Sequence, residues 1–361
     1  MEEQQLSHPS MKDEPKSRFL RACQKLPTDA TPVWFMRQAG RYLPEYRTIR
    51  AKHTILEICQ TPELAAAVTL QPVRRFPLDA AILFADILLP LLALGFQLEF
   101  VAGEGPRITP SISSNTQLWQ RPFPDLEQEF WYLAEAIKLI KNDLGDIPLI
   151  GFCGAPFTVA SYLIEGGSSR DFVKTKKMLY TAPSQFCSLM ETLANLLSEY
   201  LSLQIRSGVQ AVQVFDSWVG VLSPLDYERF VLPYSQKVIA AAQEQGVPLI
   251  HFGTGSATLL PLMKKAGGNV MGIDWRIPLD QAWDELDEGW AIQGNLDPVA
   301  LFAPKDELKK QVWEVLKRAD GRSGHIFNLG HGVLPQTPLE NVQAVVDWVH
   351  EGSLKIKTAG A

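Results

Sequence analysis

Short apolar runs, many rich in β-branched residues, recur along the chain, and helical patterns lie between them. Eight runs are legible, at residues 32–36, 80–84, 148–152, 211–215, 247–252, 270–273, 290–293 and 325–329. Most are continuously hydrophobic, as strands covered on both faces must be. Helical stretches at 62–75, 126–142, 184–207, 224–245, 256–266, 305–318 and 338–350 separate most of them. Thr61-Pro62, Ser223-Pro224 and Thr337-Pro338 each place a capping residue before a proline in the first turn. Residues 97–102 read as an extra strand, and 103–110 as a turn or hairpin insertion. Eight strands alternating with helices predict an α/β protein, a single-domain (β/α)8 TIM barrel with its active site at the C-terminal ends of the strands. The alternative is a doubly wound open sheet, but the GxGxxG turn that would favour it is absent.

This pattern spans residues 18–353. It leaves a polar, aperiodic tail at 1–17 and a short tail at 354–361. With 34 Lys+Arg against 40 Asp+Glu the net charge is −6, which argues against a nucleic-acid or anionic-membrane partner. The densest apolar stretch, 87–96, contains Pro90 and Gly95 and is half the length of about twenty residues that a spanning helix needs. Four cysteines without a CxxC pair make no disulfide framework. Met1-Glu2-Glu3-Gln4-Gln5 opens neither a signal peptide nor a transit peptide, so a cytoplasmic protein is expected.

In a parallel barrel, functional side chains follow the strand ends. After the first run come Arg37, Gln38, Gly40 and Arg41, and Arg47, Arg50 and Lys52 follow with only Glu45 opposing them. In an acidic chain this local cationic cluster suits a polyanionic small molecule, because guanidinium forks bind carboxylates or phosphates. A helical turn would put Arg37 and Arg41 on one face. Asp86 follows the second run inside an apolar stretch, where an unpaired carboxylate is costly. It reads either as a structural cap or ion pair, or as a carboxylate aimed along the barrel axis. Asp79 precedes that run and reads as a cap or a partner of Arg74 or Arg75. His331, between Gly330 and Gly332, lies in a tight turn after the last run, while Tyr162 and Ser217 are individually weaker candidates. His251 and His325 read as packing residues, and His8, His53 and His350 as surface positions. HExxH, GxSxG and Walker patterns are absent, and no His/Cys grouping has zinc spacing, so neither a metal nor an organic cofactor is expected.

The segment from Pro32 to Arg47, PVWFMRQAGRYLPEYR, resembles the signature of the uroporphyrinogen decarboxylase family. The stretches Gly151-Phe152-Cys153-Gly154-Ala155-Pro156-Phe157-Thr158, Gln293-Gly294-Asn295-Leu296-Asp297-Pro298 and Asn328-Leu329-Gly330-His331-Gly332 are similar to others in that family, as is 70–81. The resemblance spans about residues 18–350. It implies a homodimeric barrel with facing clefts that removes CO2 from the four acetate side chains of uroporphyrinogen III, without a cofactor, to give coproporphyrinogen III. Carried over by motif, Arg37, Ala39, Arg41 and Arg50 contact substrate carboxylates or line the pocket, with Gln38 and Gly40 in the same signature. Asp86 accepts from the pyrrole N–H groups, and Tyr162, Ser217 and His331 make further substrate contacts. Asp86 and Arg37 are the expected catalytic residues. Two rivals are a cobalamin-linked methyltransferase on the same barrel, which would need a His-x-Cys zinc pair that the chain lacks, and a non-catalytic tetrapyrrole carrier.

Overall fold

The structure, a computed structural model, describes residues 15–101, 103–112, 122 and 124–359. Most of the expected 1–17 tail lies outside them. A two-residue strand, β1 (Ala81–Ile82), is followed by an antiparallel hairpin of β2 (Gln97–Val101) and β3 (Gly105–Thr109). The hairpin matches the insertion expected there. Then come β4 (Leu149–Gly154), β5 (Ala211–Asp216), β6 (Leu249–Gly253), β7 (Val270–Gly272), β8 (Ala291–Leu296) and β9 (His325–Leu329). Among the described residues β1 and β4 to β9 form one parallel sheet of seven strands in chain order, with helices between them. Sequential order throughout gives every crossover the same sense, and the sheet curls.

The expected first strand is the difference. Residues 32–36 make a single bridge, Val33 to Phe327, rather than an eighth regular strand. The reason lies in where its backbone donors go. Pro32 has no N–H, and Val33 N–H donates to Asp79 Oδ2 at 2.7 Å. Phe35 N–H donates to the Gln38 side chain and Met36 N–H to that of Asn328. Side chains thus take three of the donors that a ladder would use, and Trp34 N–H alone keeps a backbone acceptor, the Phe327 carbonyl at 3.4 Å. The segment still sits between the sheet's two ends. Phe327 N–H donates to the Pro32 carbonyl at 2.9 Å on one flank, and Asp79 N–H to the Val33 carbonyl at 2.9 Å on the other.

Side chains also meet across the concave side of the sheet. The Trp34 indole N–H donates to Gln293 Oε1 at 2.9 Å, and Gln293 Nε2 donates to Gln213 Oε1 at 3.0 Å. All three residues are buried, so each polar group needs such a partner. On the outer side, Gln204 of the helix Pro183–Ser207 accepts from Phe152 N–H and donates to the Phe152 carbonyl. The two-residue β1 leaves that stretch of β4 without a ladder partner on its β1 edge, while β5 pairs the other edge. Gly151 makes room for the amide, since a Cβ there would lie 2.7 Å from Gln204 Oε1.

The helices differ from the sequence expectation in detail. The 126–142 stretch is two helices, Leu126–Glu129 and Trp131–Leu144, and 224–245 is divided into Pro224–Phe230 and Leu232–Gln243. Pro233 in the second of these cannot donate within a continuous helix. The last helix, Leu339–Ala359, runs past the 353 boundary. Asp79 pairs with neither Arg74 nor Arg75, which bind Asp143 and Glu45. It accepts from Arg18 Nη1 at 3.1 Å, from Val33 N–H and, at 2.8 Å, from His350 Nε2, which is therefore half-buried rather than a free surface group. Asp79→Ala leaves the Val33 N–H unmet and takes from Arg18 one of its two carboxylate partners, Asp29 being the other, with an expected loss of about 1–3 kcal/mol of stability. Asp79→Asn, which keeps an acceptor for Val33, loses less. Thermal denaturation checks the order, and equal losses for the two variants would show that the acceptor is not what matters.

Candidate active site

A cleft of about 800 Å³, open to solvent, lies at the C-terminal ends of the strands. Its floor is aromatic. Phe152, Phe215 and Phe252 end or nearly end consecutive strands, with ring centroids 5.5 and 5.9 Å apart in edge-to-face contact, and Phe84 stands on the same wall. Four of the eight apolar runs end in Phe, a sequence signal for this floor that motif reading passed over.

Residues 37–43 form turns, and the next helix begins only at Pro44, so Arg37 and Arg41 do not share a helical face. Arg37 has φ +58°, a left-handed conformation that costs a non-glycine residue about 1 kcal/mol or more. Neighbours hold it there. The Gln38 side chain, buried, accepts from Phe35 N–H and donates to the Ala80 carbonyl, while the Tyr42 hydroxyl donates to the Gln38 carbonyl at 2.7 Å. Gln38 therefore braces the turn, with its side chain engaged inside the protein instead of lining the cleft. The Arg37 stem lies against the Gly332 α-carbon, where a Cβ would sit 2.4 Å from Arg37 Cδ. That contact, between two distant motifs, is not legible in sequence. Arg37 and Ala39 line the cleft. Arg41 and Arg50 stand beyond it, with their charges near the Tyr46 phenol, whose ring packs 5.7 Å from Phe84. Arg50 Nη1 also donates to the His53 carbonyl at 2.8 Å. Gly40 braces the same turn, and a Cβ there would lie 3.2 Å from the Arg37 carbonyl.

Asp86 is on the cleft wall between Ala85 and Ile87. Its Oδ1 accepts from Leu88 N–H at 2.9 Å, a tight Asx turn that aims the carboxylate and opens the short helix Leu89–Leu94. Burial pushes its pKa up, against the Leu88 hydrogen bond and the Arg37 charge, which pull it down. The residue as a whole is only partly buried. Opposite, His331 Nδ1 accepts from Gly332 N–H at 2.8 Å, which puts the ring proton on Nε2. Burial, with Arg37 nearby, pushes His331 down to about 4. Ser217 lines the cleft too. Tyr162 lies close enough to feel the charges of Asp86 and Arg37, and its ring packs on Trp218 at 5.7 Å. Arg37, Ala39, Asp86, Ser217 and His331 are thus gathered at one mouth, with Tyr162 beside it. Among the described residues no three His, Cys, Asp or Glu side chains converge to hold a metal ion.

A family model described as uroporphyrinogen decarboxylase matches residues 14–352. The chain belongs to the uroporphyrinogen decarboxylase family. A relative of that name from Solibacter usitatus is 52% identical over 93% of this chain and 97% of its own length. Another from Carboxydothermus hydrogenoformans is 51% identical over 92% of this chain and 95% of its own. Among solved structures, a methyltransferase from Methanosarcina mazei is similar at TM-score 0.75 and 20% identity, covering 93% of this chain and 98% of that one, which is a likeness of fold. The family is one of carboxy-lyases.

His331 is expected to titrate near 4 by NMR, and Arg37→Ala to raise that midpoint, because a nearby positive charge disfavours the imidazolium. With a folded pKa below the unfolded value of about 6.5, the neutral ring's contribution to stability is complete above pH 6.5. It is lost as pH falls toward 4. A midpoint near 6.5, unmoved by Arg37→Ala, would contradict this geometry.

Proposed function

We propose that this cleft removes CO2 from the four acetate side chains of uroporphyrinogen III, giving coproporphyrinogen III in tetrapyrrole biosynthesis. The observation that carries the reading is one desolvated carboxylate, Asp86, facing Arg37 at the mouth of a Phe-floored cleft. The macrocycle's apolar face suits the aromatic floor, and its eight carboxylates suit Arg37, with Arg41 and Arg50 beyond. The neutral His331 offers its Nε2–H as one more donor.

Breaking the C–CO2 bond leaves an electron pair at the acetate methylene. A pyrrole protonated at ring carbon is a cationic, iminium-like sink that accepts that pair, so the substrate supplies what a cofactor otherwise would. A proton then reaches the methylene to make the methyl group, and the ring carbon releases its own. In net terms, one proton replaces each CO2. Asp86 accepts from the pyrrole N–H groups, which lowers its pKa in the complex, and its charge offsets the developing cation. A guanidinium holds its protons too tightly to be a good general acid near neutral pH, so Arg37 serves by orienting the scissile carboxylate and through its field.

Segment 32–36 serves in this reading as the eighth stave of a closed (β/α)8 barrel, supported by its hydrogen bonds to both β9 and Asp79. The active molecule is a cytoplasmic homodimer with facing clefts. Sedimentation equilibrium tests the assembly: twice the chain mass is expected, and the chain mass alone contradicts it.

Chromatography of uroporphyrinogen incubated with chelator-dialysed protein is expected to show seven-, six-, five- and four-carboxylate products in turn. Unchanged substrate would support a carrier instead, and activity that returns only with zinc would refute the cofactor-free chemistry. Asp86→Asn removes the charge and is expected to slow single-turnover decarboxylation by about 10²–10³, the cost of one preorganised electrostatic partner. Asp86→Glu, displaced by a methylene, is expected to lose about 10²-fold. Both should keep native circular dichroism and bind coproporphyrinogen. Near-native turnover by the Asn variant would remove Asp86 from the mechanism.

A further inference from the structure

Beneath the Ser217 loop lies a buried polar cluster that the chemistry above does not use. Asp216, the last residue of β5, and His251, in β6, are fully buried, with His251 Nε2 3.9 Å from Asp216 Oδ2. Asp216 Oδ1 accepts from Thr158 Oγ1 at 3.0 Å. Thr158 is itself fully buried, near the start of the helix Pro156–Glu165, and its Oγ1 accepts from Trp218 N–H at 3.3 Å. The order of these bonds has only one sense. Thr158 Oγ1 donates its single proton to Asp216 Oδ1, which leaves its lone pairs for the loop amide.

Trp218 carries this order into the site. Its ring packs against Tyr162 at 5.7 Å and Phe172 at 5.4 Å. The other side of the loop is pinned as well. The Ser217 carbonyl accepts from the Thr254 hydroxyl, and a Cβ on Gly220 would lie 2.3 Å from the Thr254 carbonyl oxygen. The loop therefore packs backbone to backbone on the segment after β6, leaving the Thr158 contact to set its position against the helix that bears Tyr162.

We propose that Asp216 and Thr158 are positioning residues of the substrate site. The buried carboxylate orients the Thr158 hydroxyl, the hydroxyl holds the Trp218 amide, and Trp218 sets the Tyr162 phenol beside the Ser217 wall of the cleft. The placement rests on the decarboxylase reading of the cleft, but the relay itself does not.

Two readouts separate them. Native-state hydrogen exchange of the Trp218 amide needs no substrate. That amide should be protected in the wild-type protein and in Thr158→Ser, which keeps the hydroxyl, and should exchange about tenfold faster in the isosteric Thr158→Val, as loss of one buried hydrogen bond allows. In turnover of uroporphyrinogen, Thr158→Val should lower kcat/KM about tenfold at temperatures well below its unfolding, with Thr158→Ser near wild type. Unchanged exchange in the Val variant overturns the relay. Faster exchange with unchanged turnover overturns its positioning role. A wild-type protein that does not decarboxylate refutes the decarboxylase reading, while exchange still decides the relay. Should Thr158→Val fail to fold, an unprotected Trp218 amide in the wild type overturns the proposal and a protected one supports it.

Discussion

A carboxylate held in an apolar wall is the constraint on which the site depends. Asp86 stands among Phe84, Ala85 and Ile87, where burial favours its neutral form. Its charge is useful only if donors meet it. One backbone amide, Leu88, does so permanently, and Arg37 contributes through its field. In the proposed reaction the substrate's pyrrole N–H groups meet the rest of the demand. The same shortage of solvent keeps His331 neutral, so the mouth combines the Asp86 carboxyl group and the Arg37 cation with two neutral donors, His331 and Ser217. Each state follows from the others: remove Arg37, and both titratable neighbours change their balance.

Holding Arg37 in place has its own structural requirements. A left-handed backbone at a long side chain is unfavourable, and the stem fits only because Gly332 lacks a Cβ. Gln38 and Tyr42 fasten the turn from below. At the opposite end of the sheet, Asp79 joins residue 33, Arg18 and the last helix. Adjacent stretches of one signature thus divide the work, with one end lining the cleft and the other bonded to Asp79 and to Phe327. A parallel sheet makes that division natural, because all its C-terminal ends face one way.

Much of this was legible in the apolar runs. Seven of the eight are strands of one sheet, and the polar residues that follow them include Arg37, Asp86, Ser217 and His331, which the fold brings to one mouth. The first run failed as a regular strand because side chains from Gln38, Asp79 and Asn328 take three of its N–H groups, and hydropathy carries no information about such substitutions. Gln213 and Gln293 sit inside otherwise apolar runs because they bond each other across the sheet, a pairing of residues 80 apart. Arginine spacing suggested a helix that Gly40 and the strained Arg37 turn replace. The Asp79 partners and the half-buried His350 were missed for one reason: both depend on the chain's ends meeting.

The central claim is that the negative charge on Asp86, rather than its hydrogen-bonding shape, drives decarboxylation. Single-turnover rate against pH, compared between the wild-type protein and Asp86→Asn, tests it most directly. Protonating Asp86 abolishes the charge, so the wild-type rate should fall on the acid side with a limb that the Asn variant lacks, superimposed on whatever titration the substrate's own carboxylates impose on both. The limb should lie above the range of an ordinary aspartate in the free protein and move lower in the substrate complex, where pyrrole N–H groups stabilise the anion. Identical acid limbs in the two proteins would contradict the account, because the titration that governs the rate would then belong to a group other than Asp86.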